Sequence, residues 1–416
     1  MSPAQIAVRV LFALTIVGLG HYYLWRRFIR DTEVSLPLRS VLLTALIASA
    51  ASLPLVFLLP RLLPRAYVAP WAFGAYVWMG IISIITALFF CVDAIRATKS
   101  VGRLALRLVR REDKAIDDPE KRRTLSRLVA GAVALVAFGF GAAGVREAMK
   151  FFSVKRVKVD LAKLPPQLHG FRIVQLTDVH VGPTLGRGFV ENMVAEANAL
   201  EPDIIAITGD LVDGSVAELG QHTAPLADLR AKHGVYFVTG NHEYYSGAEE
   251  WIAELERLGI VVLDNERVEI ESGQAGFSLA GIPDHSSKSH GAIPDLARAL
   301  HGLPAEREVV LLAHQPRAVK MATEHDVGLV LSGHTHGGQY WPFNWFVYLA
   351  QPVVKGLARF GRTQIYVSTG TGYWGPPMRL GTESEITLIE LQSATRAATR
   401  SATRTPSTAA LTMPPA

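Results

Sequence analysis

The chain has 416 residues, 49% of them hydrophobic and 19% charged, with a formal net charge of +5 and a mean hydropathy of +0.23. That length allows two or three domains, and that apolarity excludes a protein that is ordinary and soluble throughout. The single cysteine, Cys91, excludes an intrachain disulfide and a cysteine-based metal site.

The apolar excess lies in the first 150 residues. Charge-free runs extend from Val41 to Leu59, from Val68 to Cys91 and from Leu128 to Gly144, and a weaker run from Val10 to Trp25 contains His21. Crossing the hydrocarbon core takes about 17 to 25 apolar residues, so a transmembrane region of about four helices is expected, near 6–25, 41–59, 68–91 and 128–145. Buried helices of a large soluble core are the alternative, and charge-free runs of this length are rare there. Eleven Lys and Arg crowd between residues 92 and 127, within the stretch "RLALRLVRREDKAIDDPEKRR" and just before it and after it. Beside apolar helices this is a topology signal rather than a nucleic-acid footprint: the loop between the third and fourth spans faces the cytoplasm, and the chain beyond Gly144 lies outside. Arg122 and Arg123, just before an apolar run, read either as an internal twin-arginine export signal or as an ordinary basic membrane flank.

From residue 151 to 392 the texture changes. Apolar runs such as "FRIVQLTDVH", "DIIAITGDLVD", "GVYFVTGNHE", "EVVLLAHQP" and "VGLVLSGHTH" end in polar clusters and alternate with amphipathic helices such as "GFVENMVAEANAL". The pattern predicts an α/β domain with buried strands, and ligands of such sheets sit beyond the carboxyl ends of the strands. Residues 393–416, an Ala-Thr-Arg repeat ending in Pro-Ala, lack the apolar side chains needed for a core and are expected to be disordered.

Five strand ends carry chemistry-bearing residues: Asp178 and His180 in "TDVH", Asp210 and Asp213 in "GDLVD", Asn241 and His242 in "GNHE", His314 in "AHQP", and His334 and His336 in "GHTH". Each piece alone is common; a lone His-x-His is a weak metal signal. Together and in this order they resemble the calcineurin-like metallophosphoesterases, from Arg172 to about Leu391. The resemblance implies a four-layer α/β/β/α sandwich and two divalent ions (Mn, Fe, Zn or Co). By it, Asp178, His180 and His336 bind one ion, Asn241, His314 and His334 the other, and Asp210 bridges both. Two ions about 3.5–4 Å apart clamp a phosphoryl group and activate a water as hydroxide nucleophile, giving a metal-dependent phosphoric ester hydrolase. His242 matches the family's non-ligand histidine that protonates the leaving oxygen, and Asp213 its orienting acid, although a turn or cap role for Asp213 stands beside that. Glu243 reads as structural.

Membrane helices together with "GHTHGGQ" and "STGTGYWGPPMRLGTESEITLIEL" are similar to the bacterial membrane-associated phosphodiesterase branch of this family. That branch implies a membrane-associated enzyme that cleaves phosphodiesters, including lipid- or envelope-linked ones; the four expected helices, unlike the single anchor of other members, make this one multi-pass, and the basic loop places its catalytic domain outside the cytoplasm. A hydrolase of the UDP-2,3-diacylglucosamine pyrophosphate type is the alternative, and an inactive membrane scaffold or sensor is a second one; the latter would have lost a ligand, and none is lost. Tyr340, Trp341, Phe343, Trp345, Phe346 and Tyr348 come after the last histidines and fit either a lipid-facing role or packing of an insertion. The sequence sets no oligomeric state.

Overall fold

A computed structural model describes residues 3–59, 62–110 and 118–394. The expected disorder of the C-terminal tail falls, from residue 395 on, outside the described residues. The chain divides into two compact units, the first comprising the residues up to Phe151 together with two returning segments, Gly338–Val347 and Tyr373–Glu383.

The first unit is helical: α1 (Pro3–Trp25), continued by a π-helical turn at Arg26–Arg30, then α2 (Leu36–Leu58), α3 (Arg65–Arg110) and α4 (Pro119–Ala148). Among the described residues three spans are long and apolar enough to cross a membrane, Leu36–Val56, Tyr67–Gly102 and Pro119–Ala148. The run from Val10 lies in α1, which is not among these three. Some of the polar atoms inside the unit pair with one another. His21 Nδ1 lies 2.7 Å from the Val17 carbonyl, which only accepts, so this nitrogen carries the proton and Nε2 accepts from Ser49 Oγ at 2.7 Å. Trp78 Nε1 donates to the same hydroxyl.

The loop expected from about residue 92 begins later than the charge pattern suggests, because α3 continues to Arg110. At 1.5 Å per residue its 46 residues far exceed a bilayer about 30 Å thick. The residues beyond Cys91 are mostly good helix formers, so charge alone does not end the helix there. The fourth helix starts early for a different reason: Asp118 Oδ1 accepts the N–H groups of Glu120 and Lys121, and Pro119 occupies the first helical position. Arg122 and Arg123 therefore lie in its first turns, where Arg123 pairs with Glu33 at 2.7 Å.

The second unit contains, in chain order, β1 (Ser153–Leu161), β2 (Phe171–Leu176), α5 (Arg187–Ala199), β3 (Ile204–Ile207), α6 (Val216–Thr223), β4 (Val235–Phe237), α7 (Asn241–Ser246), α8 (Ala248–Arg257), β5 (Val261–Val262), β6 (Glu266–Ser272), β7 (Ala275–Gly281), α9 (Leu296–Ala299), β8 (Val309–Leu312), α10 (Val319–Glu324) and β9 (Leu329–Ser332). After α11 (Phe343–Ala350), which begins in a returning segment, come β10 (Gly356–Phe360), β11 (Thr363–Val367) and β12 (Glu385–Ser393). Two six-stranded sheets form, ordered β1-β12-β2-β3-β4-β5 and β10-β11-β9-β8-β7-β6. The runs of parallel neighbours, β2-β3-β4-β5 and β7-β8-β9-β11, are what a βαβ alternation produces.

Strand periodicity builds the layers. All four residues of β3 are buried; Ile204 and Ala206 pack between the sheets with Ile173, Phe277 and Leu329, while Ile205 and Ile207 pack outward with Met193 of α5 and Trp251 of α8. On the far face Val330 and Ile365 pack with Leu296 of α9 and Val319 and Ala322 of α10. The result is the expected α/β/β/α sandwich. Both sheets bring carboxyl ends of parallel strands to one edge, where all five polar sequence motifs are found.

Candidate metal centre

Each motif occupies the turn after a buried strand. Asp178 and His180 come after β2, Asp210 and Asp213 after β3, Asn241 and His242 open α7 after β4, His314 comes after β8, and His334 and His336 after β9. Five of these residues take left-handed backbone conformations: Asp178 (φ 51°), His180 (φ 53°), Asp210 (φ 51°), His334 (φ 71°) and His336 (φ 50°). Such geometry costs roughly 1–3 kcal/mol per non-glycine residue and persists where surroundings over-determine it. Here they do. Asp178 N–H donates to Gly209 O at 3.0 Å, His180 N–H to Asp210 O at 3.1 Å, and His334 N–H to the Asp178 carboxylate at 2.9 Å. Gly333 is required by close approach, since a Cβ there would run into the Asp178 carboxylate and the Thr177 side chain.

Glu243 is the residue whose part in this scaffold the sequence left unspecified. Its buried carboxylate accepts the N–H groups of Gly240 (2.6 Å), Asp210 (3.0 Å) and Leu211 (2.8 Å), pinning the turn that presents Asp210. Burial, then the nearby Asp210 charge, pushes its carboxyl up to about 7. A Glu two residues after an Asn that starts a helix carried that signal in the sequence, as a capping residue. Asp284, after β7, was also missed. It is buried, accepts from Gln315 Nε2 and Ser286 N–H at 2.8 Å each, and brings negative charge near His314 and His334.

The side chains converge as three groups, Asp178 with His180 and His336, Asp210 with His314 and His334, and His180 with Asp213 and His242, the first and third sharing His180. In the first, His336 Nε2 is 3.1 Å from His180 Nε2 and 3.4 Å from Asp178 Oδ1. In the second, His314 Nε2 is 3.1 Å from His334 Nδ1 and 3.0 Å from Asp210 Oδ2. Asp210 links the groups, its Oδ2 lying 4.0 Å from the Nε2 atoms of both His180 and His242. Asn241 sits beside them: the next N–H, of His242, donates to Asp210 Oδ1 at 2.8 Å, and Asn241 Oδ1 is buried with no hydrogen-bond partner.

These residues fit a pair of divalent cations on three observations. His314 Nδ1 is 2.8 Å from the Thr208 carbonyl and so carries a proton, leaving Nε2, 3.0 Å from Asp210 Oδ2, as the ring atom that faces the carboxylate. That contact calls for positive charge between the two atoms, either a proton on Nε2 or a metal ion in its place. The unpartnered Asn241 oxygen and the paired imidazole nitrogens of His180 and His336 repeat the situation. The donor set is nitrogen and oxygen without thiolate, suited to Mn, Fe, Zn or Co.

Charge in the cluster is strongly polarised. Burial opposes ionisation of Asp210, yet the imidazoles of His314, His242 and His180 hold its carboxyl well below the usual range. Burial raises Asp178. Burial and His314 together push His334 down to about 4. At His242 burial disfavours the cation, but Asp210 and Asp213 outweigh it and push the imidazole up to about 9. Asp213 does more than was expected of it: the same Oδ1 receives His242 Nδ1 at 2.5 Å and lies 3.2 Å from His180 Nδ1, so one carboxylate orients two histidines of different expected roles. Arg317, in the turn after His314, adds an exposed cation close enough to lower His334 and His285.

The comparison with known proteins agrees with this geometry. A model of the calcineurin-like phosphoesterases matches residues 171–338, from the start of β2 to just past His336. A Bos taurus protein named transmembrane protein with metallophosphoesterase domain is 37% identical over 411 residues, covering 92% of this chain and 89% of that one. Its Danio rerio counterpart of the same name is 35% identical over 409 residues, with the same coverage. A Helicobacter pylori protein named as a metallophosphoesterase is 38% identical over 276 residues, 66% of this chain and 73% of that one. With strand-end residues of the expected types gathered at one edge and relatives aligned across nearly its whole length, the chain belongs to the calcineurin-like metallophosphoesterase family.

Proposed function

We propose that this metallophosphoesterase is anchored by its helices in a membrane and hydrolyses phosphodiester bonds of lipid- or envelope-linked substrates on the outer side of that membrane. Asp178, His180 and His336 would hold one divalent ion and Asn241, His314 and His334 the second, with Asp210 available to both. Bound there, the two ions would clamp the phosphoryl group and lower the pKa of a water for in-line attack. Everything else is done by side chains. Asp210 and Asp213 keep His242 protonated, and His242 Nε2–H gives its proton to the departing alkoxide as the P–O bond breaks. Asp213 accepts from Nδ1 of the same ring, fixing which nitrogen faces the substrate. Arg317 offers one cation at the rim, matched to the single negative charge of a diester.

The observation that carries this reading is the 2.5 Å contact of His242 with Asp213 beside, rather than within, the two ligand groups. A histidine bound to a carboxylate and spared from ligation is placed for proton donation. Outward orientation is supported by the basic residues between 92 and 127, and membrane residence by the three apolar spans. The test is a pair of diesters differing in leaving group. His242→Ala should slow a simple alkyl diester by about 10²–10⁴-fold and an activated aryl diester far less, because an activated leaving group needs no proton. Equal losses on both would remove His242 from the role of acid, and preference of the wild type for monoesters would reject the diester assignment.

A further inference from the structure

The two segments that return to the helical unit are built into its core. Met378 and Tyr340 are buried in one cluster with Ile81, Ile85, Val133 and Ala137 of α3 and α4. Met378 sits in a notch that exists because Gly80 and Gly144 have no side chains, and Arg379 N–H donates to the Gly144 carbonyl at 2.9 Å. From that anchored core an aromatic row leads outward, Tyr340 stacking on Phe343 at 6.4 Å and Phe343 meeting Trp374 at 6.2 Å. Its middle member, Phe343, opens α11, "FNWFVYLA", which has no buried residue. Trp345 is 63% exposed, Phe346 67% and Leu349 87%. No Lys, Arg, Asp, Glu or His occurs between His336 and Lys355.

A helix of this composition cannot be at equilibrium with water, since large contiguous apolar surface on a folded protein is covered by something. A protein partner would be met by a polar or charged rim around an apolar centre, and α11 has none. The unit that holds the start of α11 exposes more apolar side chains, Leu128, Leu135 and Phe138 of α4, on a span long enough to cross a bilayer, and Tyr340, three residues before α11, packs in that unit's core. Tryptophan and tyrosine concentrate where hydrocarbon meets headgroups. We propose that α11 is a second, monotopic membrane contact, lying in the headgroup–acyl boundary of the bilayer that the long helices cross. The occupant of this surface is lipid, whatever ester the enzyme cleaves, so the proposal stands or falls apart from the substrate assignment. It puts a lipid-inserted element seven residues after His336.

The test uses the full chain with Cys91→Ser, reconstituted in phosphatidylcholine–phosphatidylglycerol vesicles, carrying a single spin label at F346C or L349C. Collisions with oxygen, which partitions into lipid, are compared with collisions with a water-soluble nickel chelate. Labels at L135C and E256C give the lipid and water limits. Both α11 labels are expected between the two limits, on the lipid side, with oxygen exceeding nickel by less than at L135C. Matching E256C would mean that α11 stands in water and would overturn the proposal. Shielding from both relaxers would mean that protein, such as a second copy of the chain, covers the helix, and would overturn it equally. An independent reading without cysteine variants is the quenching of tryptophan fluorescence by lipids brominated near the headgroup. The quenched component should shrink in W345F, and an unchanged component would contradict insertion.

Discussion

Replacing Asp213 with Asn keeps the shape of the side chain and removes the charge that two histidines share. The carboxylate Oδ1 lies 2.5 Å from His242 Nδ1 and 3.2 Å from His180 Nδ1. A hydrogen bond to a charged group is worth about 1.5–3 kcal/mol and a neutral one about 0.5–1.5, so each histidine loses about 1–2 kcal/mol. At His180 the loss appears as metal affinity, for which an outer carboxylate on a ligating histidine typically accounts for about 10–100-fold. At His242 it appears as proton donation, about 5–30-fold on an alkyl diester at saturating metal. The pH profile has a definite sign as well. His242 is raised by Asp210 and Asp213, so its acid form is present below the raised pKa and lost as pH rises through it. With Asp213→Asn that pKa falls, and the alkaline limb for alkyl diesters moves to lower pH. The assay is kcat/KM for alkyl and aryl diesters across pH, with metal titrations beside it. His242→Ala should impair the alkyl substrate while leaving metal affinity alone. If Asp213→Asn left metal affinity unchanged, or moved the alkaline limb upward, the double role of this carboxylate would be refuted.

The scaffold around the site is equally open to test. Gly333→Ala forces a methyl against the Asp178 carboxylate and Thr177. Overpacking of this kind costs about 1–3 kcal/mol, to be seen as a lowered Tm together with lost activity. Trp251 is fully buried between α8 and the first sheet, with Nε1 donating to Gly214 O at 2.9 Å. Trp251→Ala should destabilise the domain by about 3–5 kcal/mol in denaturant titrations, and Trp251→Phe by less. A compartment-sensitive reporter fused after Ala394 should report the outer side, and Arg122→Lys with Arg123→Lys should leave that result unchanged if the pair is only a basic flank.

Much of the site was legible because the sequence and the sheet obey the same rule. A buried parallel strand is a short apolar run, and its carboxyl end is where the backbone must turn, so Asp178, Asp210, His314 and His334 stand out as polar residues breaking such runs. What remained hidden depended on partners distant in sequence. Nothing local to "GDLVD" says that Asp213 reaches His180, 33 residues earlier, as well as His242. Likewise β12 lies between β1 and β2, pairing parallel to one and antiparallel to the other, a register that no periodicity encodes. The length of α3 was masked by its charge: a helix need not stop where the membrane does, and Arg103 to Arg110 are as helical as the apolar turns before them. The segments 338–347 and 373–383 read as part of the α/β domain from their position between its strands, whereas Tyr340 and Met378 pack with the long helices, Met378 in a notch left by Gly80 and Gly144.

Two ions held by these side chains are the centre of the proposed chemistry, and metal analysis of the full chain after reconstitution tests them directly. The wild type should bind two divalent ions, in keeping with the two-ion geometry of such sites. Asp210→Asn, which alters the carboxylate shared by both groups, should lower occupancy at both positions and abolish hydrolysis more completely than loss of His336, which serves only one. A chain that retains full activity with fewer than one ion bound would contradict the central claim.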